Sequence, residues 1–399
     1  MSNRTIAELL SARITGEWGE EAVNGDGVAI LRTTNFTNEG VINYESVVKR
    51  RVDSHLVQKK KLRIGDIIIE KSGGGPKQPV GRVVYFDLNS SEPYLCNNFT
   101  TVLRPKENVH PKYFFYALFA KHLSQATLRY QNKTTGIINL KLERYLANET
   151  IPLPDLPTQR KIAHILEQAD AARQKRKQAL ALTEQFLQSA FLEMFGDPVT
   201  NEKGWEVRKF GELCDDLRYG TSVQCSLIPN DRAFPVLRIP NVVGGYINQS
   251  DLKYANVASD EADKLRLKKG DILFVRSNGN PEYIGRCAVF NTEREFLYAS
   301  YLIRARLRDF KTIAPIFLNF LFLLPSYRTQ MVSKAKTTAG NYNINTVGLR
   351  SLNVILPPIS LQEEFIALVE RVEQLREKQR ESEWELENLF GSLLQRWFG

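Results

Sequence analysis

Cysteine and histidine are scarce in this sequence, with four of each in 399 residues. Cys96, Cys214, Cys225 and Cys287 contain no CxxC pair, which argues against a disulfide frame or a cysteine zinc site and reads as reduced thiols. His55, His110, His122 and His164 have no metal-ligand spacing. A Walker A pattern is missing, so no ATP site of that kind is expected. No apolar run approaches the roughly 18 residues of a membrane-spanning helix, and the N-terminus MSNRTIAELL has no basic-then-apolar leader. These absences point to a cytoplasmic protein without catalytic, metal or cofactor residues of its own.

Apolar residues make up 43% of the chain and charged residues 25%, enough to bury cores and too apolar for disorder. Lys and Arg number 54 against 45 Asp and Glu, a net charge of +9. That excess suits a polyanionic partner such as nucleic acid without establishing one.

Internal repetition is the main positive fact. ILRTTNF (30–36) matches VLRIPNV (236–242), and RIGDIIIEKSGGG (63–75) matches KKGDILFVRSNGN (268–280). VGRVVYF (80–86) matches IGRCAVF (284–290), and TTGIINLKLERYLANETIPLPDLPTQ (134–159) matches TAGNYNINTVGLRSLNVILPPISLQ (338–362). The offset stays near about 204, so one unit has been duplicated. Within each unit IIIEKS and ILFVRS read as strands, and VGRVVYF and IGRCAVF as the next strands. HPKYFFYALFAKHLSQA and IAPIFLNFLFLLPSYRTQM read as helices with proline near their starts.

Each unit ends in a long amphipathic stretch launched by a proline-rich hinge, IPLPDLP or LPPIS. The first has inward positions Ile162, Ile165, Ala169, Ala172, Arg176, Ala179, Thr183, Phe186 and Ala190. The second has Phe365, Leu368, Val372, Leu375, Gln379, Ser382, Leu386, Leu389 and Leu393. The alternating three-four spacing predicts coiled-coil helices of roughly 38 residues each. FGDP (195–198) ends the first, with Gly196 available as a left-handed cap. Connectivity requires the second helix to run back along the first. Packing volumes favour partners whose numbers total about 558, which sets Ala169 against Leu389, Ala172 against Leu386, Phe186 against Val372 and Ala190 against Leu368. The expected fold is α+β: two similar mixed α/β domains separated by a long antiparallel two-helix coiled coil, pseudo-two-fold symmetric. Its segments are a first domain (1–154), a first helix (155–196), a second domain (197–357) and a second helix (358–399).

With these motifs assembled, the chain resembles the specificity subunit of a type I restriction–modification system. The resemblance is carried by IPLPDLPTQRKIAHIL, ILPPISLQEEFIALV, FLEMFGDP, GWEVRKFGEL and the paired GDI strands, and it covers nearly the whole chain. TIAEL matches KFGEL, but no Gly-Trp precedes it as Gly204-Trp205 does in the second unit. The resemblance implies that each globular part is a target recognition domain reading one half of a split double-stranded DNA site. It implies that the helices space the halves and dock two methyltransferase subunits, and through them restriction subunits. Adenine methyltransferase and endonuclease chemistry, with S-adenosylmethionine, would then belong to the partners. Asn280-Pro281-Glu282-Tyr283 is similar to the Asn-Pro-Pro-Tyr motif of adenine methyltransferases, but Glu replaces the second Pro and no glycine-rich strand–turn–helix for the cofactor accompanies it.

Given that implication, three recurring clusters are the expected DNA contacts. The loops after the GDI strands supply Lys71, Ser72, Gly73, Gly74 and Lys77 in unit one and Arg276, Ser277, Asn278 and Asn280 in unit two. RYQNKTTG and SKAKTTAGNYN supply Lys133, Thr134, Thr135, Lys334, Lys336, Thr337, Thr338, Asn341 and Asn343. Arg32 with Asn35 recurs as Arg238 with Asn241, where a structural hydrogen bond is an equal alternative. Small residues admit a close backbone, cations meet phosphates, and Asn or Arg can read base edges. The differing loops predict an asymmetric, bipartite target. Lys49-Arg50-Arg51 and Lys59-Lys60-Lys61 read as a solvated face or phosphate track. The alternatives are the specificity partner of a fused restriction–methylation enzyme or an orphan regulator, a free-standing adenine methyltransferase, and a coiled-coil scaffold with no nucleic-acid role.

Overall fold

The computed structural model describes residues 2–22, 26–74, 79–134, 137–229, 233–338 and 340–399. The chain divides into two compact units: Met1–Gln178 with Arg380–Gly399, and Ala179–Gln379. Each unit thus combines one globular domain with part of both long helices.

The centre of unit 1 is an antiparallel sheet in the order Leu10–Thr15, Thr100–Pro105, Ile67–Glu70, Val83–Tyr85. Unit 2 repeats it as Cys214–Tyr219, Leu302–Leu307, Ile272–Val275, Cys287–Val289. The GDI strands run through the middle and are covered on both faces, which explains why they are continuously apolar. Side chains alternate along each strand. Ile67 and Ile69 face a helix, Pro111–Leu123, while Ile68 faces Val84, Val102 and Phe36. In unit 2, Ile272 and Phe274 face Phe317 and Leu321, whereas Leu273 and Val275 face Val236 and Leu297. The Gly-Asp before each strand is structural. The Asp66 carboxylate accepts two hydrogen bonds from Arg104 (2.7 and 2.8 Å) and one from the Arg63 amide (2.8 Å). Asp271 does the same with Arg306 (2.8 and 2.7 Å) and the Lys268 amide (2.7 Å).

The helix expected across IAPIFLNFLFLLPSYRTQM is two helices, Pro315–Leu323 and Pro325–Ser333. Pro325 has no N–H to donate and starts the second one. The four cysteines are unpaired. Burial pushes the thiols of Cys96, Cys214 and Cys287 up to about 11, 12 and 12, so they stay protonated.

The proline-rich hinges contain strands. Thr150–Leu153 pairs with Ser2–Thr5, and Asn353–Leu356 pairs with Glu206–Lys209. The helices that follow, Leu156–Phe195 and Ile359–Phe398, are each 40 residues long, roughly 60 Å at 1.5 Å per residue. Asp155 caps the first by accepting from the Thr158 amide (2.7 Å), and Gly196, at φ +75°, ends it. A glutamine locks each hinge. Gln159 is 1% exposed; its side chain accepts from the His110 amide (2.8 Å) and donates to the carbonyls of Asn108 (3.2 Å) and Pro154 (2.9 Å). Gln362 repeats this with the Ala314 amide (2.9 Å) and the carbonyls of Thr312 (3.2 Å) and Pro357 (2.8 Å).

Within each unit the two helices run antiparallel. Arg173 of unit 1 bonds Glu387 (3.1 Å), and Arg376 of unit 2 bonds Thr183 (2.8 Å), both within one or two positions of the expected register. The seam residues need correction. Ile162, Ala169, Phe365 and Val372 are buried. Ile165, Arg176, Ala179, Thr183, Ala190, Leu368, Gln379, Ser382, Leu386 and Leu393 are half-buried. Ala172, Phe186, Leu375 and Leu389 are exposed. Buried in their stead are Ala163, Leu166, Arg173, Leu187, Phe191, Phe390 and Leu394, with Arg376 half-buried. An α-helix drifts about 20° per heptad from a strict 3.5 repeat, so the buried stripe moves one position along each helix. The polar seam residues are therefore Arg173 and Arg376, each also paired three residues back, with Asp170 and Glu373. Arg173 additionally lies 4.6 Å from the Phe390 ring centre.

Replacing Gln159 with Ala strands one buried N–H and two carbonyls. The expected loss is about 2–3 kcal/mol, read as a lower denaturation midpoint of the whole chain, with Gln362→Ala giving a similar loss.

Candidate nucleic-acid interface

Two of the sequence-predicted clusters meet in a small sheet, once per unit. In unit 1, Ser72–Gly74 pairs with Ile137–Leu140, which pairs with Gln131–Thr134. In unit 2, Ser277–Asn278 pairs with Asn341–Asn343, which pairs with Lys336–Thr338. The loop after the GDI strand and the Thr-rich loop are about 60 residues apart in sequence, yet they form one surface. Lys77 and Thr135 lie outside the described residues, and of Lys133, Thr134 and Thr338 the backbone alone is described.

The two surfaces share a backbone and differ in side chains. In unit 1, Gly73 is exposed at φ +108°, a conformation that favours glycine, and Gly74 is half-buried. Ser72 is nearly buried and donates to Asn139 Oδ1 (2.6 Å), the repeat counterpart of Asn343, which pairs with Ser277 in unit 2. Lys71 is half-buried, and that desolvation lowers its ammonium pKa. In unit 2 the matching cation, Arg276, is fixed by its Tyr219 stack (4.6 Å to the ring centre) and its donation to the Ser300 carbonyl (3.2 Å). Ser277 and Asn278 are half-buried. Asn278 accepts from the Asn280 amide (2.9 Å), and Asn280 accepts from the Glu282 amide (3.0 Å). The side-chain oxygen of Asn280 thus caps a turn, an arrangement suited to local structure. Lys334, Lys336, Thr337 and Asn341 are exposed, and Asn343 is half-buried with its amide on the Asn341 carbonyl (3.2 Å).

The third cluster is a correction. Asn35 and Asn241 are 0% and 1% exposed and cannot reach a ligand. Asn35 accepts from the Arg32 amide (2.8 Å) and donates to the Asn43 carbonyl (3.0 Å). Asn241 repeats this with the Arg238 amide (2.8 Å) and the Asn248 carbonyl (2.8 Å). Arg32 donates to the Ser46 carbonyl and Arg238 pairs with Asp251, so these recurring residues brace a loop. The basic runs are also engaged locally: Arg50 stacks on Trp18 (4.2 Å), Lys60 pairs with Glu17, and Lys49 with Glu92.

Comparison with known proteins matches this duplicated architecture to one family. The profile described as "Type I restriction modification DNA specificity domain" matches twice, at residues 20–182 and 202–387. The chain belongs to that family. The specificity subunit of the type I restriction enzyme EcoKI of Escherichia coli (strain K12) is 30% identical over 385 residues, covering 89% of this chain and 77% of that one. That of StySPI of Salmonella potsdam is 27% identical over 381 residues, with the same coverage. A solved type I S subunit from M. genitalium shares the fold, with a TM-score of 0.58 at 14% identity, covering 100% of this chain and 96% of the other. The present chain is a specificity subunit, a DNA-recognition protein rather than a catalyst.

Exposed Lys336 suits a phosphate. Its replacement by Ala is expected to weaken binding across DNA sequences alike and reduce the steepness of the salt dependence by about one. Anisotropy titrations at several salt concentrations check both.

Proposed function

We propose that each domain of this specificity subunit reads one half of a bipartite, asymmetric double-stranded DNA target. The observation that carries this reading is the three-stranded surface found in both units on one backbone plan with unlike side chains. Lys71, Gly73 and Ile137 stand in one where Arg276, Asn278 and Asn341 stand in the other. A common frame with different groups at the same places favours one mode of docking and two base preferences. The paired long helices set the spacer between half-sites.

Two methyltransferase subunits dock along those helices and bring restriction subunits with them. Supporting this, the helices leave large apolar side chains uncovered: Leu182 and Phe186 on the first, and Leu375, Trp384 and Leu389 on the second, with Trp384 70% exposed. Such a density of exposed apolar groups suits a partner surface. S-adenosylmethionine and the methylation and cleavage chemistry belong to the partners, and the complex works in the cytoplasm. Among the described residues no helix is long and apolar enough to cross a membrane.

Mapping methylated adenines in cells carrying this subunit with its partners is expected to reveal a split, non-palindromic motif. Exchanging residues 1–154 for those of another family member should alter one half of the motif and leave the other unchanged. A change in both halves would contradict modular reading.

A further inference from the structure

Two large aromatic side chains stand in solvent at corresponding places in the two domains. Phe99 is 45% exposed and Tyr301 is 59% exposed. Each immediately precedes the central strand of its sheet, Thr100–Pro105 or Leu302–Leu307. Single exposed apolar residues are common on protein surfaces. Recurrence at one backbone position is the informative point. Between the copies Asn97 has become Ala299, Asn98 has become Ser300 and Thr100 has become Leu302, yet a ring is kept between them.

The turn under each ring is held firmly. In unit 1 the Thr100 amide and hydroxyl both donate to the Asn97 carbonyl (3.0 and 2.8 Å), and the Asn97 amide donates to the Leu31 carbonyl (2.9 Å). In unit 2 the Leu302 amide donates to the Ala299 carbonyl (2.9 Å), and the Ala299 amide to the Leu237 carbonyl (2.9 Å). A glycine backs each turn so closely that no side chain fits. A Cβ on Gly16 would lie 1.9 Å from the Asn97 carbonyl oxygen, and one on Gly220 would lie 2.0 Å from that of Tyr298. The rings therefore project from a fixed base.

That base adjoins the three-stranded surface. The Lys71 amide donates to the Phe99 carbonyl (2.9 Å), and the Lys71 carbonyl accepts from Leu140 (2.8 Å). The Arg276 amide donates to the Tyr301 carbonyl (2.9 Å), and the Arg276 carbonyl accepts from Ile344 (2.9 Å). Each ring is thus one backbone hydrogen bond from a cationic residue and two from the pairing strand. A rigidly mounted ring next to a cation is the combination that holds a base by its π-face while the charge meets the backbone.

We propose that Phe99 and Tyr301 are base-stacking residues, each pressing its ring against bases of the half-site its own domain reads. The proposal rests on the three-stranded surfaces being the DNA interface. It adds contacts made when a domain is seated on its own half-site, which work by stacking rather than by hydrogen bonding to base edges.

The test uses the full-length subunit assembled with its methyltransferase partner. Target DNA carries 5-iodouracil at one thymine position at a time and is irradiated, so that a stacked ring cross-links. Expected are cross-links in one half-site that disappear in Phe99→Ala, and cross-links in the other half that disappear in Tyr301→Ala. Each Ala variant should bind the specific target about tenfold more weakly and non-specific DNA unchanged. Phe99→Trp should retain both cross-link and affinity. Because both rings are exposed, unfolding midpoints should stay at the wild-type value. Unchanged cross-links and affinity in the Ala variants overturn the proposal, as does weakened assembly in the absence of DNA, which would assign the rings to a protein partner. A wild-type complex that prefers no sequence overturns the interface reading as well.

Discussion

Each domain has one helix that is apolar on every side, and the structure depends on covering it. In Pro111–Leu123 the run from Tyr113 to Phe119 is buried without a break. Such a helix cannot sit on a sheet alone, because its far face would stay wet. The ends of the long helices supply the cover. Phe390, Leu394 and Phe398 pack there in unit 1, with the Phe398 ring 5.2 Å from that of Tyr113 and the Phe390 ring 6.0 Å from that of Tyr116. In unit 2, the Phe191 and Phe195 rings lie 5.5 and 4.9 Å from that of Phe317, and Phe365 packs on Phe191 (5.3 Å) and Phe195 (5.6 Å). A domain with its helix ends removed would lose part of its core. This is why the compact units cut across the long helices.

On this scaffold the proposed DNA-facing elements vary between the units where the frame does not. The GDI strands, the Asp–Arg pairs beneath them and the glutamine locks recur almost residue for residue in the two units. The short strands Ser72–Gly74 and Ser277–Asn278 keep the pairing and change the side chains. A rigid frame with variable edge residues lets recognition change without a cost to folding.

Much of this was legible in the sequence because duplication doubles every signal. The GDI strands, the hinges and both long helices stood out from apolar spacing and proline placement. What escaped had physical causes. A strict heptad placed Phe186 and Leu389 in the seam, but the buried stripe follows the true helical pitch and reaches Leu187 and Phe390. Asn35 and Asn241 looked like base readers because their type and recurrence fit that role. Recurrence alone cannot separate a shared ligand from a shared turn, and their burial assigned the turn. Asn139 and the rings of Phe99 and Tyr301 recur between the copies, but nothing in the sequence sets them beside the loops after the GDI strands. Their places depend on strand pairings between residues distant along the chain.

The glutamine locks have a consequence for inheritance. Every partner of Gln159 and Gln362 is a main-chain atom: the amides of His110 and Ala314, and the carbonyls of Asn108, Pro154, Thr312 and Pro357. Main-chain atoms are common to all sequences of one fold. Genetic exchange with its breakpoint in a hinge would therefore join a foreign head to a resident tail with the clasp intact, so that a single crossover exchanges one head.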